Sequence, residues 1–181
     1  MKKIKLESER LVIRQFCSKD AKGYFKLVSN PKVNCFVSEK LDNLEQANQK
    51  VEKMSLADDS SQLAVCLKET DEFIGTLFGV WEEDTFSICW NFLDEYCSKG
   101  YAYESAKAYV DYLFNDLNAR RIYAYVEDYN LSSQKLCKKL GMRQEGLFKE
   151  FISFVNNPDG SPCYENTMQF AILKKEWNGA N

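Results

Sequence analysis

An α+β domain, with a mixed but mostly antiparallel central sheet flanked by helices, is the fold class this sequence predicts. Three observations predict it. Alternating apolar segments succeed one another through residues 63–93 with only short turns between them, which builds an antiparallel meander. A glycine-containing loop then leads from a strand over 86–93 into a helical repeat, and another strand follows at 122–126, so a helix crosses between parallel strands. The chain closes on two long alternating segments separated by Asn156-Asn157-Pro158-Asp159-Gly160, a strong turn. A length of 181 residues suits one domain with a real core, covering 1–181, and is short for two.

Taken in order, Leu6 to Arg14 opens the domain, with Leu11 and Ile13 alternating as in a strand. Ser18-Lys19-Asp20 offers a cap for a helix marked by Tyr24, Phe25, Leu27 and Val28, which ends before Asn30-Pro31. Residues 31–42 read as irregular or as a short helical turn. Asn43-Leu44-Glu45-Gln46 is capping-box-like and opens a helix to about 57, with Leu44, Ala47, Val51 and Met54 on one face. Asp58-Asp59-Ser60-Ser61 is a loop. Strands 63–67 and 73–80 form a hairpin through Glu69-Thr70-Asp71-Glu72, and Gly75 and Gly79 mark a bulge or a close approach. Glu82-Glu83-Asp84 turns the chain into strand 86–93. Ala106, Tyr109, Val110, Leu113 and Phe114 predict a helix over 102–117. After strand 122–126, Glu127-Asp128-Tyr129 leads into a short helix with Leu136, Cys137 and Leu140, which Gly141 stops. Residues 142–146 resume a strand, 147–156 alternate, and 166–173 return antiparallel.

Composition narrows the function. A net charge of −3 and a pI near 5.2 argue against a generic nucleic-acid binder. No apolar run follows Met1-Lys2-Lys3-Ile4-Lys5 and no stretch approaches a membrane span, so neither a signal peptide nor a membrane partner is expected. The seven cysteines include no C-x-x-C pair and there is no histidine, which leaves no zinc pattern. Scattered thiols of this kind fit a reducing, cytoplasmic setting. The lack of histidine excludes Ser-His and Cys-His nucleophilic pairs and histidine bases, so acid–base chemistry falls to carboxylates, Tyr, Cys, Lys or water.

The stretch with most chemical content is Cys97-Ser98-Lys99-Gly100-Tyr101-Ala102-Tyr103-Glu104. A loop between strand and helix aims backbone N–H groups at the positive end of a helix dipole, which suits a phosphate or pyrophosphate. Gly100 lets the backbone close on such a ligand or take positive φ. A lone glycine at a strand-to-helix turn equally serves the turn alone. Asn130 and Ser133, at the start of the later helix, are N-cap residues by type. The chain lacks G-K-[ST] and a repeated βα alternation, so a doubly wound nucleotide-binding fold fits poorly.

The loop resembles the R/Q-x-x-G-x-G/A pyrophosphate loop of the GNAT acetyltransferases, in the G-Y-A-x-E form of the RimJ/RimL-type N-acetyltransferases; Cys97 stands at the Arg/Gln position. Two further segments carry the resemblance: S-E-R-L-x-I-R over Ser8 to Arg14 with Asp20 beyond, and R-I-x-A-x-V…N-x-x-S…K-L-G-M-x-x-E-G from Arg121 to Gly146. The likeness spans roughly 6–177. The closing D-x-x-x-Y pattern is altered to Asn166 and Phe170. The resemblance implies a single GNAT-like domain and an acetyl-CoA-dependent N-acetyltransferase acting on a primary amine. The acceptor would be a protein N-terminal α-amine or a small molecule, and a homodimer is a habit of the family. It implies that Cys97, Ser98, Lys99, Gly100, Tyr101 and Ala102 cradle the pyrophosphate of coenzyme A. It also implies that Phe92 and Leu93 lie on a splayed strand, where a backbone N–H polarises the thioester carbonyl and stabilises the oxyanion. Asn130 would bond the pantetheine arm and Ser133 would give a proton to the leaving thiolate.

The general base is the least defined element. Glu83, Glu150 and Glu165 are candidates, and Glu150 is preferred because it shares a strand face with the site where relatives place a glutamate. Phe36, Val37 and Met54 are candidate groove residues or plain core. Cys97 and Cys137 have no base beside them in the sequence, so an acetyl-cysteine intermediate is not expected. The other class of function compatible with the pattern is a catalytically inactive coenzyme-A-binding sensor or interaction module.

Overall fold

The computed structural model describes residues 4–57 and 61–178. Met1-Lys2-Lys3 of the charged start and Asp58-Asp59-Ser60 of the expected loop lie outside the described residues, as do 179–181. The strands are β1 (Lys5–Glu7), β2 (Leu11–Arg14), β3 (Gln62–Leu67), β4 (Phe73–Glu82), β5 (Thr85–Phe92), β6 (Arg121–Glu127), β7 (Arg143–Asn156) and β8 (Pro162–Leu173). The helices are α1 (Ala21–Val28), α2 (Leu44–Leu56), α3 (Tyr101–Asn115) and α4 (Leu131–Lys139), and Asn34–Glu39 forms the anticipated short turn as a 3₁₀ helix. The eight strands make one sheet in the order β1-β2-β3-β4-β5-β6-β8-β7, antiparallel except where β5 meets β6.

β3 shows why the sheet is covered twice. Successive residues of a strand point to opposite faces, and all four of Leu63, Ala64, Val65 and Cys66 are buried. Leu63 and Val65 join the core built with α3 and α4, around Val110, Leu113, Phe114 and Leu140. Ala64 and Cys66 join the core under α1 and α2, around Tyr24, Val28, Ala47 and Val51. Each fully buried Leu, Val or Phe contributes about 1.5–3 kcal/mol. The second core stops at the middle of the sheet. On β6, Ile122, Ala124 and Val126 face the first core, while Tyr125 on the other face is 46% exposed. The outer face of β6, β8 and β7 is covered only in part: Tyr123, Glu127, Glu165 and Thr167 on it are buried, with the 3₁₀ turn against β7, while Tyr125, Phe148 and Phe151 stay exposed.

Local chemistry sets the breaks. Asn43 accepts from the Gln46 N–H and caps α2. Gly141, at φ 78°, ends α4, with the Met142 N–H on the Cys137 carbonyl at 3.0 Å. Gly75 and Gly79 are close approaches: a Cβ at Gly75 would lie 2.6 Å from the Asn91 carbonyl oxygen, and one at Gly79 2.6 Å from the Tyr109 hydroxyl. Asp20, 1% exposed, takes both ends of the Arg14 guanidinium at 2.8 and 2.9 Å. Asp20→Ala strands a largely buried cation that keeps only the partly exposed Asp71 carboxylate and the Gln15 carbonyl. We expect it to cost about 3 kcal/mol, read by urea denaturation.

Two readings are corrected here. The opening segment is a hairpin, not one strand, because Lys5–Glu7 folds back on Val12–Arg14. Residues 147–156 do not alternate evenly: Phe148 pairs with Thr167 and Ile152 with Glu165, so three residues of β7 oppose Asn166 alone. The Asn166 side-chain oxygen accepts from the Glu150 N–H at 3.0 Å, and Glu150 takes φ 46°. A side chain thereby replaces the missing ladder bond and holds the bulge.

Candidate active site

α3 begins at Gly100, which caps it with φ 84° and ψ −4°. Ser98, two residues earlier, also has positive φ, at 61°. Left-handed residues at this spacing curl successive N–H groups inward, and the first turn of α3 adds its own unspent N–H groups. The loop is latched from the turn between β1 and β2. Glu104 accepts from the Ser8 hydroxyl, the Arg10 backbone and the Arg10 Nε, each at 2.7 Å. Arg10 in turn donates from Nη1 to the Lys99 carbonyl at 3.2 Å and lies 4.5 Å over the Tyr101 ring. Ser8, Arg10 and Glu104, far apart in sequence, are therefore one structural unit. A Cβ at Gly100 would stand 3.3 Å from Arg10 Nη2 in a conformation L side chains rarely adopt. Cys97 is exposed and its thiol is 3.6 Å from the Leu93 carbonyl; Arg10 provides the guanidinium beside this loop.

β5 and β6 pair only through Thr85, Phe86 and Ser87 against Arg121, Ile122 and Tyr123, then part. The Leu93 N–H is spent on the Ile74 carbonyl of β4 at 3.0 Å. Because backbone groups alternate sides along a strand, the Phe92 and Trp90 groups point the other way, into the gap. Of the expected pair, Phe92 alone has an N–H on the open side.

A narrow cleft of about 20 Å³ lies in this gap, lined on one side by Ile88, Cys89 and Trp90 and on the other by Ala124 to Glu127. Asn130 and Ser133 border it from α4, and Cys35 and Phe36 from the 3₁₀ turn. Asn130 caps α4 by accepting from the Ser133 N–H at 3.2 Å. The Ser133 hydroxyl oxygen accepts from the Trp90 indole at 3.1 Å, which leaves its own hydrogen to donate.

The carboxylates separate clearly. Glu83 is exposed in the β4–β5 turn and Glu150 is exposed on the β7 bulge. Glu165 is buried but engaged, accepting from the Asn34 amide and from the Tyr129 hydroxyl. Glu127, 6% exposed, is the carboxylate among the cleft-lining residues. Burial, and then the Glu127 charge and hydrogen bond, push the Cys35 thiol well up. Sequence reading passed over Glu127 as part of a turn. The signal was the strand period: Glu127 extends the face of Tyr123 and Tyr125, opposite Ile122, Ala124 and Val126. Of the proposed groove residues, Phe36 lines the cleft, whereas Met54 packs with the core under α1 and α2.

Three of the thiols are held as poor nucleophiles. Burial pushes Cys66, Cys89 and Cys137 each up to about 12. A raised thiol pKa leaves the protonated form at neutral pH, so iodoacetamide at pH 8 is expected to leave these three unmodified in the folded protein, as mass spectrometry can read.

This fold is that of one family of acyltransferases. The Acetyltransferase (GNAT) domain profile matches residues 10–143, and the chain belongs to that family. The N-acetyltransferase YnaD of Bacillus subtilis strain 168, itself uncharacterized, is 34% identical over 175 residues, 96% of this chain and 99% of YnaD. The similarly uncharacterized N-acetyltransferase p20 of Bacillus licheniformis is 29% identical over 96% of this chain and 98% of its own length. The crystal structure of a GNAT-family acetyltransferase from Bacillus anthracis superposes with a TM-score of 0.83 at 30% identity, covering 96% of this chain and 100% of that one. The chain is an N-acetyltransferase, and enzymes of this family use acetyl-CoA as acyl donor. Among the described residues no helix is long and apolar enough to cross a membrane.

Proposed function

We propose that the protein moves the acetyl group of acetyl-CoA to a primary amine by direct attack, within the gap between β5 and β6. The donor supplies an activated thioester carbonyl. The N–H groups of residues 98–102 hold its pyrophosphate, with Arg10 and Glu104 fixing the loop. Asn130 meets the pantetheine arm, and the Phe92 N–H donates to the carbonyl oxygen. The Glu127 carboxylate takes a proton from the acceptor amine, which is largely protonated in water when its pKa is near that of lysine. The Ser133 hydroxyl donates to the departing sulfur and is reprotonated by the second proton that the attacking nitrogen loses, so it ends as a neutral hydroxyl.

The observation that carries this reading is the convergence in one cleft of Glu127, Ser133 and the open side of β5. It supports Glu127 as the base over Glu150, which lies on the exposed bulge. It also disfavours a coenzyme-A-binding module without turnover, since a buried carboxylate in the cleft has a cost that binding alone does not require. A protein N-terminus or a small amine both remain within this reading, and the linked Ser8, Arg10 and Glu104 fit the RimJ/RimL likeness of the motifs. The test is thiol release from acetyl-CoA with a panel of amines, followed with a thiol reagent. Ser133→Ala is expected to lower kcat about tenfold or more with little change in the KM of either substrate. An amine-independent release alone would contradict the reading.

A further inference from the structure

Beside its buried part, the outer face of β6, β8 and β7 carries aromatic rings that the fold leaves exposed. Tyr125, Phe148 and Phe151 are 46%, 38% and 49% exposed. Phe148 and Phe151 stand 5.0 Å apart between ring centroids, and Tyr125 lies 6.4 Å from Phe148 and 5.9 Å from Phe151. The β7 bulge brings Phe151 into this group, because three residues there span what one covers on β8. Grouped exposed rings of this kind mark a binding surface rather than a folding requirement.

The platform is continuous with the cleft. Tyr125 belongs to both, since it lines the cleft beside Glu127. Glu127 pairs across to Thr167, and Thr167 to Phe148, so one row of the sheet runs from the buried carboxylate to the platform. Directly opposed residues share a face, and Glu127 and Phe148 are two strand spacings apart, about 10 Å. The Thr167 hydroxyl between them is 4% exposed and has no hydrogen-bond partner. A buried hydroxyl left unpaired is costly, and this one stands between the cleft carboxylate and the platform in the same row.

We propose that the acceptor is a primary amine bearing an aromatic or similarly bulky apolar group, with the amine at Glu127 and that group on Tyr125, Phe148 and Phe151. This rests on the acetyl-transfer reading above and adds to it the class of acceptor. Rings stack on rings with an edge-to-face or offset preference, and the spread of centroids suits one ring laid across the three. The required chemistry occurs both in free arylalkylamines and in peptides that begin with an aromatic residue.

The test compares kcat/KM for 2-phenylethylamine against ethylamine, and for a peptide starting with phenylalanine against the same peptide starting with serine, with spermidine as a separate arm. Preference for the ring-bearing member of a pair by about 100-fold is expected. Whichever pair shows it identifies the source. In Phe148→Ala/Phe151→Ala that preference should fall below about fivefold, while Phe148→Leu/Phe151→Leu keeps most of it. Both positions are exposed, and circular dichroism of each variant checks folding. Preference for spermidine or for the small amines overturns the proposal and leaves acetyl transfer standing. So does unchanged selectivity in the alanine variant, or a loss of self-association in it, which would make the platform a contact between copies. No turnover with any amine, together with no acetyl-CoA binding, removes the acetyl-transfer reading as well.

Discussion

Glu127→Gln is expected to lower kcat for acetyl transfer at neutral pH by about 10²- to 10⁴-fold. The substitution keeps shape and hydrogen-bonding reach but removes the group that accepts the amine proton. Acetyl-CoA affinity should stay within about twofold of wild type, because pyrophosphate and pantetheine contacts lie elsewhere. The variant should also recover as pH rises toward the amine pKa, since more acceptor is then free base. The sign follows from the chemistry: an enzyme without its base depends on solution to deprotonate the amine. A variant with wild-type kcat and an unchanged pH profile would move the base to water. The same experiment on Glu150→Gln separates the two carboxylates; its exposed place on the bulge predicts a change below about threefold.

Gly100→Glu is expected to weaken acetyl-CoA binding by at least about 100-fold, or ~2.7 kcal/mol. Three effects act together. Positive φ disfavours any side chain, at roughly 1–2 kcal/mol. The first added atom meets Arg10 Nη2 at 3.3 Å, which disturbs the latch to Glu104. The new carboxylate then repels a pyrophosphate at the same helix terminus. Gly100→Ala carries only the first two effects and should cost about tenfold. Isothermal titration of the three proteins gives the series directly.

Much of this was legible in residue order. Period-two segments gave the strands, and the helix between strands 86–93 and 122–126 gave the single parallel pair. Gly100 announced the left-handed cap because few other residues are stable there. What was not legible was contact across the sheet. The 147–156 segment keeps its alternation on paper, and only Asn166, on the next strand, reveals the bulge by bonding the Glu150 N–H. A bulge resets the period, so the face of Glu150 does not follow from its spacing along the strand. Glu127 was hidden differently. A carboxylate at a strand end reads as a turn residue until the 3₁₀ turn, with Cys35 hydrogen-bonded to it, is seen against it. Ser98 gave no sign of its positive φ, since nothing in a serine demands it. The N-terminal and loop motifs were both recognised, but their connection through Glu104 needed three dimensions.

The account rests on acetyl-CoA entering the gap between β5 and β6 with its pyrophosphate on the Gly100 loop. Amide hydrogen exchange, with and without coenzyme A, tests this most directly. Protection is predicted at the amides of 98–103, at Trp90 and Phe92, and at the start of α4, with Leu93 unchanged because it is already bonded to Ile74. Protection confined elsewhere, for example to the hollow of about 580 Å³ lined by Asn118, Arg120 and Leu173 to Lys175, would contradict it.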